Sequence, residues 1–548
     1  MKVIIVGGVA GGASTAARLR RNDENAEIIL LEKGEHISFA NCGLPYYIGG
    51  TITDKEALLL QTPESFHARF RVDVRVRQEA IGVDVKARTV QVKNLETGET
   101  YRESYDKLVL SPGASPIRPS LPGAEENHLF TLRNIPDTYA IREYIETHRP
   151  KSCAVIGAGF IGMEMAENLA ELGIAVNIIE AAPHVMAPVD LDMAHDIHNY
   201  IRSKGLGLYL GQKCVGFTCD SVLLDSGASV PADMVILSIG VAPETGFLRD
   251  SGIRLGERGE IVVNDCLQTS AEDVYALGDA VAVTNLVSGK PARIPLASPA
   301  NKQGRLVADH ICGKNCSYKG SQGTSIMKFF DLTVAVTGEK EETLQAAGVS
   351  YHKSMTYSAS HAGYYPGGTM MAIKLLFNGD AKILGAQIVG YDGVDKRIDS
   401  LANALRFGLS VYDLQEMELA YAPPFSSAKD PVNMAGYVAG NLLEGKMVPF
   451  YLEDLPHIPG GSLCIDVRTE EEYQAGHIEG FCNIPLDCLR DQLPHLDLTK
   501  NIYITCQIGL RGYLAQRILM QHGAKVWNLV GGYRLYKARQ DDLPGTTH

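Results

Sequence analysis

One pattern occurs twice in this sequence and constrains the fold more than any other feature: a β-branched strand, a glycine loop, a helix, and a second strand that ends at a glutamate. In the first copy, the strand Lys2–Val6 runs into the loop Gly7-Gly8-Val9-Ala10-Gly11-Gly12, and the strand Glu27–Leu31 ends at Glu32. In this layout the glycines let the backbone approach a pyrophosphate at a helix N-terminus, and the acid accepts a hydrogen bond from a ribose hydroxyl. The first copy predicts a dinucleotide site, although Val9 stands where the middle glycine is expected.

The second copy begins near Ala154. Its strand leads into an unbroken GxGxxG loop, Gly157-Ala158-Gly159-Phe160-Ile161-Gly162, and a later strand, Ala175–Ile179, ends at Glu180. Two dinucleotide sites in one chain imply electron transfer between two cofactors. Glu180 would repel a ribose 2′-phosphate, and residues 181–186 contain no Arg or Lys. We therefore expect NADH at this site, with NADPH possible.

Composition limits the other classes of function. The 548 residues are enough for three or four domains, and the formal net charge of −13 without a basic run argues against nucleic acid or an anionic membrane as a partner. No apolar run reaches the roughly 18 residues of a membrane span, and the first residues are a predicted strand rather than a signal peptide. The eleven cysteines are odd in number and unevenly spaced, unlike a secreted disulfide framework. We expect a cytoplasmic protein.

A single cysteine, Cys42, lies in the stretch Ser38–Tyr47, shortly after the first dinucleotide pattern. The next cysteine in the sequence is Cys153, so Cys42 has no nearby partner for an internal disulfide. If it does redox work, it must form a mixed disulfide, a persulfide or a sulfenic acid, and it should be partly or fully thiolate. The alternative is a buried structural thiol. Its placement after a cofactor site favours the redox role.

Two further segments, Leu108–Ala114 and Val274–Ala280, fit the first site as returning strands. With the two glycine loops they resemble the pyridine nucleotide-disulfide oxidoreductase family. The resemblance implies FAD in the first fold, NADH in the second, and a dimerisation domain that makes the protein a homodimer. The implied FAD residues are Gly7, Val9, Ala10, Gly11, Gly12, Glu32, Lys33, Ser111, Gly113, Gly278 and Asp279. The implied NAD residues are Gly157, Gly159, Phe160, Ile161, Gly162 and Glu180.

The stretch Ser38–Tyr46 narrows the resemblance to the coenzyme A-disulfide reductases and their persulfide-reducing relatives, which use one cysteine. It implies that coenzyme A binds, as substrate or as ligand, at Ser14, Arg18, Arg21, Ser38, Asn41, Arg71, Asn301 and Lys429. For each arginine the alternative is an ordinary solvated helix face. In that family two tyrosines reach the active site of the neighbouring subunit. Here these would be Tyr421 and either Tyr364 or Tyr365, and the sequence does not choose between the last two.

After a Pro- and Gly-containing linker near Pro449–Pro459, a new α/β pattern begins, in which Thr469-Glu470-Glu471-Glu472 fits a capping box that opens a helix. A strand at Asn501–Thr505 ends at Cys506, and the loop 507–511 leads into a helix predicted from Gly512 to Gln521. A cysteine at such a junction faces backbone N–H groups and a positive helix end, which stabilise anionic sulfur. This module resembles a single-domain rhodanese, which implies that Cys506 carries sulfur and that Arg511 belongs to its site. Four residues separate the two, which suits one sulfur better than phosphate.

The predicted fold class is α/β, with two nested dinucleotide-binding (FAD and NAD) Rossmann-like domains, an α+β dimerisation domain and a C-terminal rhodanese α/β domain. The predicted boundaries are residues 1–110 with 255–320 for the FAD-binding domain, 111–254 for the NAD-binding domain, 325–450 for the dimerisation domain and 455–548 for the rhodanese domain. No metal site is predicted.

The predicted activity is reduction by NADH of coenzyme A persulfide, polysulfide or coenzyme A disulfide through Cys42, with sulfane sulfur carried on Cys506. Two alternatives stay open at this stage. One is an NADH oxidase or peroxidase that cycles Cys42 through sulfenic acid. The other is a sulfur-responsive redox sensor without turnover. The sequence does not rank the sulfur substrates, and it does not give the direction of sulfur transfer.

Overall fold

The computed structural model describes residues 1–125 and 128–543. The chain divides into two compact units: Met1–Ala182 with Tyr209–Gly323, and Pro183–Leu208 with the chain from Thr324 onward. Across the described residues, every helix is too short or too polar to span a lipid bilayer.

The strands are, in chain order, β1 (Lys2–Val6), β2 (Glu27–Leu31), β3 (Asp73–Arg75), β4 (Gln78–Asp84), β5 (Thr89–Asn94), β6 (Thr100–Ser104), β7 (Lys107–Leu110), β8 (Ala114–Pro116), β9 (Leu129–Thr131), β10 (Ser152–Ile156), β11 (Ala175–Glu180), β12 (Gly207–Leu210), β13 (Cys214–Phe217), β14 (Ser221–Leu224), β15 (Ser229–Pro231), β16 (Met234–Leu237), β17 (Val241–Pro243), β18 (Ile261–Val262), β19 (Val274–Ala276), β20 (Val281–Thr284), β21 (Pro291–Ala292), β22 (Ser325–Phe329), β23 (Leu332–Gly338), β24 (His352–Ala359), β25 (Met370–Phe377), β26 (Ile383–Gly390), β27 (Pro449–Phe450), β28 (Leu463–Asp466), β29 (Cys482–Asn483), β30 (Asn501–Thr505) and β31 (Lys525–Leu529).

The α-helices are α1 (Ala10–Asn22), α2 (Leu44–Ile48), α3 (Pro63–Phe70), α4 (Ile135–His148), α5 (Phe160–Glu171), α6 (Leu191–Ser203), α7 (Ala297–Ile311), α8 (Glu341–Ala346), α9 (Val394–Phe407), α10 (Val411–Glu416), α11 (Pro431–Leu443), α12 (Glu470–Gln474), α13 (Leu489–Gln492), α14 (Leu510–Gln521) and α15 (Gly532–Asp541).

A parallel sheet of order β19-β7-β1-β2-β3 is the centre of the first dinucleotide fold. Its central strand reads as a continuous apolar run because both faces are covered, and Val3, Ile4 and Ile5 are fully buried. Parallel strands end at the same edge of a sheet. The loop after β1, the acid after β2 and the turn after β19 are therefore brought to one edge, where ligands of such folds bind.

A second parallel sheet, of order β12-β11-β10-β16-β9, repeats this arrangement. Its glycine loop joins β10 to α5, and Glu180 is the last residue of β11. Two small antiparallel sheets, β4-β5-β6 and β13-β14-β15, complete the larger part of this unit. The two predicted dinucleotide folds are confirmed, and their glycine loops lie at the carboxyl ends of the central strands.

The second unit contains an antiparallel sheet of order β22-β23-β26-β25-β24, which packs against α9 and α11. Arg397 on α9 is 1% exposed and donates to Asp430 at 3.0 Å, to the carbonyl of Ser360 at 2.9 Å and to the hydroxyl of Ser426 at 3.0 Å. Removing one partner of a buried pair of this kind costs about 3–5 kcal/mol. This network fixes the segment that leads into α11.

A separate parallel sheet, of order β27-β31-β30-β28-β29, forms the core of the C-terminal module. Ile465, Ile502 and Ile504 are fully buried in it. The predicted strand Asn501–Thr505 is confirmed at both ends. The helix predicted from Gly512 begins two residues earlier, at Leu510, because Gly509 takes the left-handed conformation (φ 99°) that starts it.

Helix α6 lies in sequence between strands of the second dinucleotide fold, but it belongs to the second unit, where it packs on α15. Asp542, just after α15, accepts hydrogen bonds from Nδ1 of His195 (2.6 Å) and His198 (2.7 Å) and from Nη1 of Arg202 (2.5 Å). Nε2 of the buried His198 accepts from the N–H of Val185 (3.1 Å), so its Nδ1 carries the donated proton. Burial opposes ionisation of Asp542, but these donors outweigh it and lower its pKa. We call this cluster the Asp542 clasp.

Candidate active sites

The first glycine loop is shaped by close backbone packing. Gly7 has φ 96°, and a Cβ there would lie 2.0 Å from the carbonyl oxygen of Ser111. The Glu32 carboxylate accepts from the N–H of Gly8 (2.8 Å) and of Gly34 (2.7 Å), which fixes the acid beside the loop. A side chain at Gly11 would also meet Ser111, at 2.8 Å from its Oγ. The loop, the acid and the Ser111 turn thus form one edge of the first fold.

The other predicted FAD residues lie around this edge. Gly278 and Asp279 form a tight turn after β19, and the N–H of Gly278 donates to Gln303 at 2.8 Å. Burial raises the pKa of Asp279, against the opposing influence of Arg133 and Arg293. The remaining predicted residues lie in or near the loop. Val9 is the N-cap residue of α1, and Ala10 and Gly12 lie in its first turn. Gly113 lies in the turn after β7 at φ 74°, and Lys33 pairs with Glu244 at 2.6 Å. The glycine loop leaves its backbone open to a pyrophosphate, and the carboxylates of Glu32 and Asp279 can accept from sugar hydroxyls. This arrangement suits a dinucleotide.

The second loop repeats this geometry. Gly157 also has φ 96°, and the Glu180 carboxylate accepts from the N–H of Ala158 (2.7 Å) and of Ala182 (2.8 Å). Gly162 is packed so closely that a Cβ would lie 1.9 Å from the Gly157 carbonyl oxygen. At Gly159, by contrast, no protein atom lies within 4 Å of an added Cβ. This opening is where a pyrophosphate would approach the start of α5, at Phe160 and Ile161.

Cys42 lies in a short 3-10 turn, Asn41–Gly43, immediately before α2. The residue is exposed. Its thiol is free, and none of the other ten cysteines forms a disulfide in the structure either. Partial desolvation raises its pKa, and Glu164 and Asp279 raise it further. The side chains of this chain therefore favour thiol over thiolate at Cys42, which is the opposite of the expectation from its redox role.

A cavity of about 330 Å³ lies between α1, α3 and α7. Its lining residues are Ala13, Ser14, Ala17, Arg21, Ser38, Phe66, Asn301 and Arg305. Four predicted coenzyme A residues are therefore brought together, namely Ser14, Arg21, Ser38 and Asn301. The two arginines make the wall positively charged, and the hydroxyl and amide groups add donors, a set that suits phosphate groups.

Four other residues predicted to contact coenzyme A do not line this cavity. Arg18 does not line it: its guanidinium forms a bidentate pair with Asp309, at 2.7 and 3.0 Å. Asn41 and Arg71 do not line it either, and Arg71 holds the left-handed position after α3. Lys429 belongs to the second unit. Arg305 was missed by sequence reasoning, although it lies four residues after Asn301 and so on the same face of α7.

In the second unit the predicted tyrosines are distinguished by their contacts. The hydroxyls of Tyr364 and Tyr421 are 2.7 Å apart, and the side chains are 74% and 47% exposed. This hydrogen bond raises the pKa of Tyr364. Tyr365 instead packs edge-on against His361, with ring centroids 5.5 Å apart. Of the two candidates, Tyr364 is the one paired with Tyr421 at the surface.

Cys506 lies in a cradle at the end of β30. Its residue is fully buried, and its Sγ accepts from the N–H of Gly509 at 3.1 Å. The carbonyl of Cys506 accepts from the N–H of Tyr533, at the start of α15, at 2.7 Å. One backbone N–H thus donates to the sulfur and a second fixes the Cys506 backbone, which is an environment that suits a persulfide.

Arg511 is fixed in this cradle by a partner that the sequence did not reveal. Its two terminal nitrogens donate to the Glu472 carboxylate at 2.6 and 2.7 Å. Hydrogen bonding from Arg511 lowers the pKa of Glu472 to about 2. Glu472 is also the reciprocal partner of Thr469 in the predicted capping box, which is confirmed. The sequence therefore singled out Glu472, but its capping role was enough to explain it, and its pairing with Arg511 was missed.

These features define a class of protein: an oxidoreductase with two dinucleotide folds, an exposed cysteine and a basic cavity, fused to a second α/β module whose buried cysteine lies where a strand leads into a helix. The family model described as "Pyridine nucleotide-disulphide oxidoreductase" matches residues 1–304, its dimerisation domain matches 324–431, and "Rhodanese-like domain" matches 452–539. The chain belongs to the pyridine nucleotide-disulphide oxidoreductase family.

Similar proteins agree with this assignment. The chain is 40% identical over 443 residues to a coenzyme A disulfide reductase of Staphylococcus haemolyticus, covering 80% of this chain and 100% of that protein. It is 50% identical to reduced Bacillus anthracis CoADR-RHD, with a TM-score of 0.97 and 98% of each chain covered. It is 34% identical to a NAD-dependent persulfide reductase from A. fulgidus, with a TM-score of 0.92 and coverage of 98% and 100%.

Proposed function

We propose that this protein uses NADH and FAD to reduce the sulfur–sulfur bond of coenzyme A persulfide, polysulfide or coenzyme A disulfide at Cys42, and that Cys506 carries sulfane sulfur. One observation carries the proposal: Ser38, four residues before the lone Cys42, lines a cavity that also holds Arg21 and Arg305. A phosphate-bearing thiol bound there would have its sulfur end near the only cysteine of this stretch. The names of the similar reductases support the same substrate class.

The chemistry at Cys42 is thiol–disulfide exchange. The thiolate attacks one sulfur of RS–SR, the S–S bond breaks, Cys42–S–SR forms, and RS⁻ leaves as a thiol after taking a proton. Two electrons and two protons then convert Cys42–S–SR into the Cys42 thiol and a second RSH. The first glycine loop and Asp279 would hold FAD, which would supply the transfer of the two electrons from NADH to sulfur. With a persulfide RS–SH, one product is hydrogen sulfide.

We also propose that the active form is a homodimer in the cytoplasm. The match to a dimerisation domain at residues 324–431 supports the dimer, as does the exposed Tyr364–Tyr421 pair, which is free to face a second subunit. Eleven free cysteines fit a reducing compartment. The domain boundaries and the remaining cofactor and coenzyme A contacts stay predictions.

The test is anaerobic oxidation of NADH, and of NADPH, by the purified flavoprotein against a panel of coenzyme A disulfide, coenzyme A persulfide, glutathione persulfide, polysulfide and hydrogen peroxide. We expect turnover with at least one sulfur substrate, and a higher kcat/KM with NADH because Glu180 repels a 2′-phosphate. Turnover with peroxide alone would favour the oxidase or peroxidase alternative. Flavin reduction without turnover on any substrate would favour the sensor.

The cavity makes a separate prediction about affinity. Arg21→Ala and Arg305→Ala should each raise KM for coenzyme A disulfide by about tenfold or more, because a charge-assisted hydrogen bond contributes about 1.5–3 kcal/mol. The KM for cystine, which has no phosphate, should change little, and added salt should weaken binding of the coenzyme A substrate in the parent protein.

Arg69→Ala is the matched control, since Arg69 is exposed on α3 near the cavity but does not line it. Steady-state kinetics of the three variants with both substrates decide the matter. An unchanged KM for coenzyme A disulfide in both cavity variants would mean that the cavity does not bind the coenzyme A phosphates.

A further inference from the structure

Three arginines come from the elements that form the Cys506 cradle, and each of them could attract an anion towards the sulfur. Arg468 follows β28, Arg511 lies in the first turn of α14, and Arg534 lies in the first turn of α15. Arg511 is the nearest of the three to the cysteine in sequence, two residues after Gly509, whose N–H donates to Sγ of Cys506 at 3.1 Å. The state of Arg511 therefore bears directly on the charge that the cradle accepts.

Each of these arginines is paired with a carboxylate of the same chain. The three pairs, with their N–O distances, are Arg511–Glu472 (2.6 and 2.7 Å), Arg468–Asp466 (2.7 Å) and Arg534–Asp196 (3.9 Å). The Arg468 pair is buried, and the Arg534 guanidinium lies over Tyr357, 5.0 Å from its ring centroid. The Arg511–Glu472 pair combines short hydrogen bonds with access from solvent, its side chains being 32% and 34% exposed.

Glu472 is held beside Arg511 by its own helix. It is the third residue of α12, and its carboxylate also accepts from the N–H of Thr469 at 2.9 Å. Hydrogen bonding from Arg511 lowers the pKa of Glu472 to about 2, so the carboxylate is ionised throughout the neutral range. One carboxylate thus caps α12 and neutralises the arginine at the mouth of the cradle.

We propose that Glu472 is a specificity-determining residue of the Cys506 site: by neutralising Arg511 it disfavours the dianion thiosulfate and selects the persulfide of an organic thiol, RS–SH, as the sulfur donor. The inference rests on the proposed role of Cys506 as a carrier of sulfane sulfur and deepens it, because it names the class of donor.

The two donors differ in the charge that they bring to the sulfur. With a persulfide, Cys506–S⁻ + RS–SH → Cys506–S–SH + RS⁻: the thiolate bonds to the outer sulfur, the old S–S bond breaks, and its electron pair leaves with RS⁻. With thiosulfate, Cys506–S⁻ + S–SO₃²⁻ → Cys506–S–S⁻ + SO₃²⁻, so three negative charges meet where the persulfide brings one. Paired arginines do not offset that repulsion, whereas the Gly509 N–H suits a single anionic sulfur.

The test compares Glu472→Gln with Glu470→Gln, the same change at an exposed position on the same helix. Glutamine still accepts at a helix N-terminus, so the cap is kept and only the charge is lost. With thiosulfate and cyanide, Glu472→Gln should lower KM for thiosulfate by about tenfold with little change in kcat, and added salt should reverse the gain. With the persulfide of 2-mercaptoethanol the change should stay within about twofold, since RS–SH is uncharged. Glu470→Gln should match the parent protein with both donors.

A second readout needs no sulfur transfer. Cys506 is alkylated either by iodoacetate, an anion, or by uncharged iodoacetamide, and mass spectrometry of the Cys506 peptide gives the ratio of the two rates. Glu472→Gln should raise the iodoacetate-to-iodoacetamide ratio about threefold or more, because it frees the Arg511 charge. Arg511→Gln should lower the ratio, because it leaves the Glu472 carboxylate unpaired. A general loosening of the cradle would instead move both variants in the same direction.

An unchanged KM for thiosulfate in Glu472→Gln, or an unchanged alkylation ratio, would overturn the inference, as would an equal effect of Glu470→Gln. If Glu472→Gln does not fold, a parent-like alkylation ratio in Arg511→Gln overturns it. If the parent protein forms no more thiocyanate than Cys506→Ser from either donor, the proposed role of Cys506 fails. The alkylation ratios then still show whether Glu472 sets the charge that reaches this sulfur.

Discussion

Cys42→Ser is expected to abolish reduction of coenzyme A disulfide and of persulfides, by several orders of magnitude, while the protein still binds FAD and still oxidises one equivalent of NADH. A serine hydroxyl cannot form the mixed disulfide, so electrons have no route to the substrate sulfur. The glycine loops and their acids are untouched by the change. The measurement is steady-state NADH oxidation beside a stopped-flow record of flavin reduction.

Cys219→Ser provides the matched control, because Cys219 is also an exposed free thiol of the first unit. It should behave as the parent protein in both assays. Substantial reductase turnover in Cys42→Ser would mean that a different group accepts the electrons, and the mechanism proposed for this stretch would have to be abandoned.

The second large effect concerns Cys506. Cys506→Ser should abolish transfer of sulfur from thiosulfate to cyanide, because the step needs a cysteine persulfide: the thiolate takes the outer sulfur of thiosulfate and releases sulfite, and cyanide then removes that sulfur as thiocyanate. The backbone donor at 3.1 Å from Sγ stabilises the anionic sulfur of this intermediate. Reduction of small coenzyme A disulfides at Cys42 should be preserved.

The same variant tests why the two modules are joined. If sulfur passes from Cys506 to Cys42, Cys506→Ser should also slow NADH oxidation with a protein-borne persulfide, and Cys488→Ser, an exposed thiol of the same module, should not. Equal rates for Cys506→Ser and the parent protein with that substrate would leave two independent activities in one chain.

The ends of strands were predictable where the apolar run is followed by a residue that stops it. The strands β1, β2 and β30 have their predicted bounds because each apolar run is followed by a glycine, an acid or a cysteine loop. The positions of Glu32 and Glu180, one at the end of the second strand of each dinucleotide fold, were predicted for the same reason. The start of α14 was misjudged by two residues, since the turn that begins it depends on the φ of Gly509.

Partners distant in sequence were not predictable. Arg18 stays a predicted coenzyme A contact, and the sequence did not show that its guanidinium pairs with Asp309, 291 residues away. Glu472 was read as a helix cap only, and its pairing with Arg511 depends on how two loops meet.

The Asp542 clasp has a consequence for dissecting this protein. Cutting the chain in the linker near Pro449–Pro459 looks harmless in sequence, yet it would take Asp542 away from His195, His198 and Arg202 and uncover the face of α6 that packs on α15. His198, which is buried in the full chain, would then lose both its acceptor and the helix that covers it. The contacts between the modules therefore extend beyond the linker. A truncated reductase should be compared with the full chain only after the histidines of α6 are replaced.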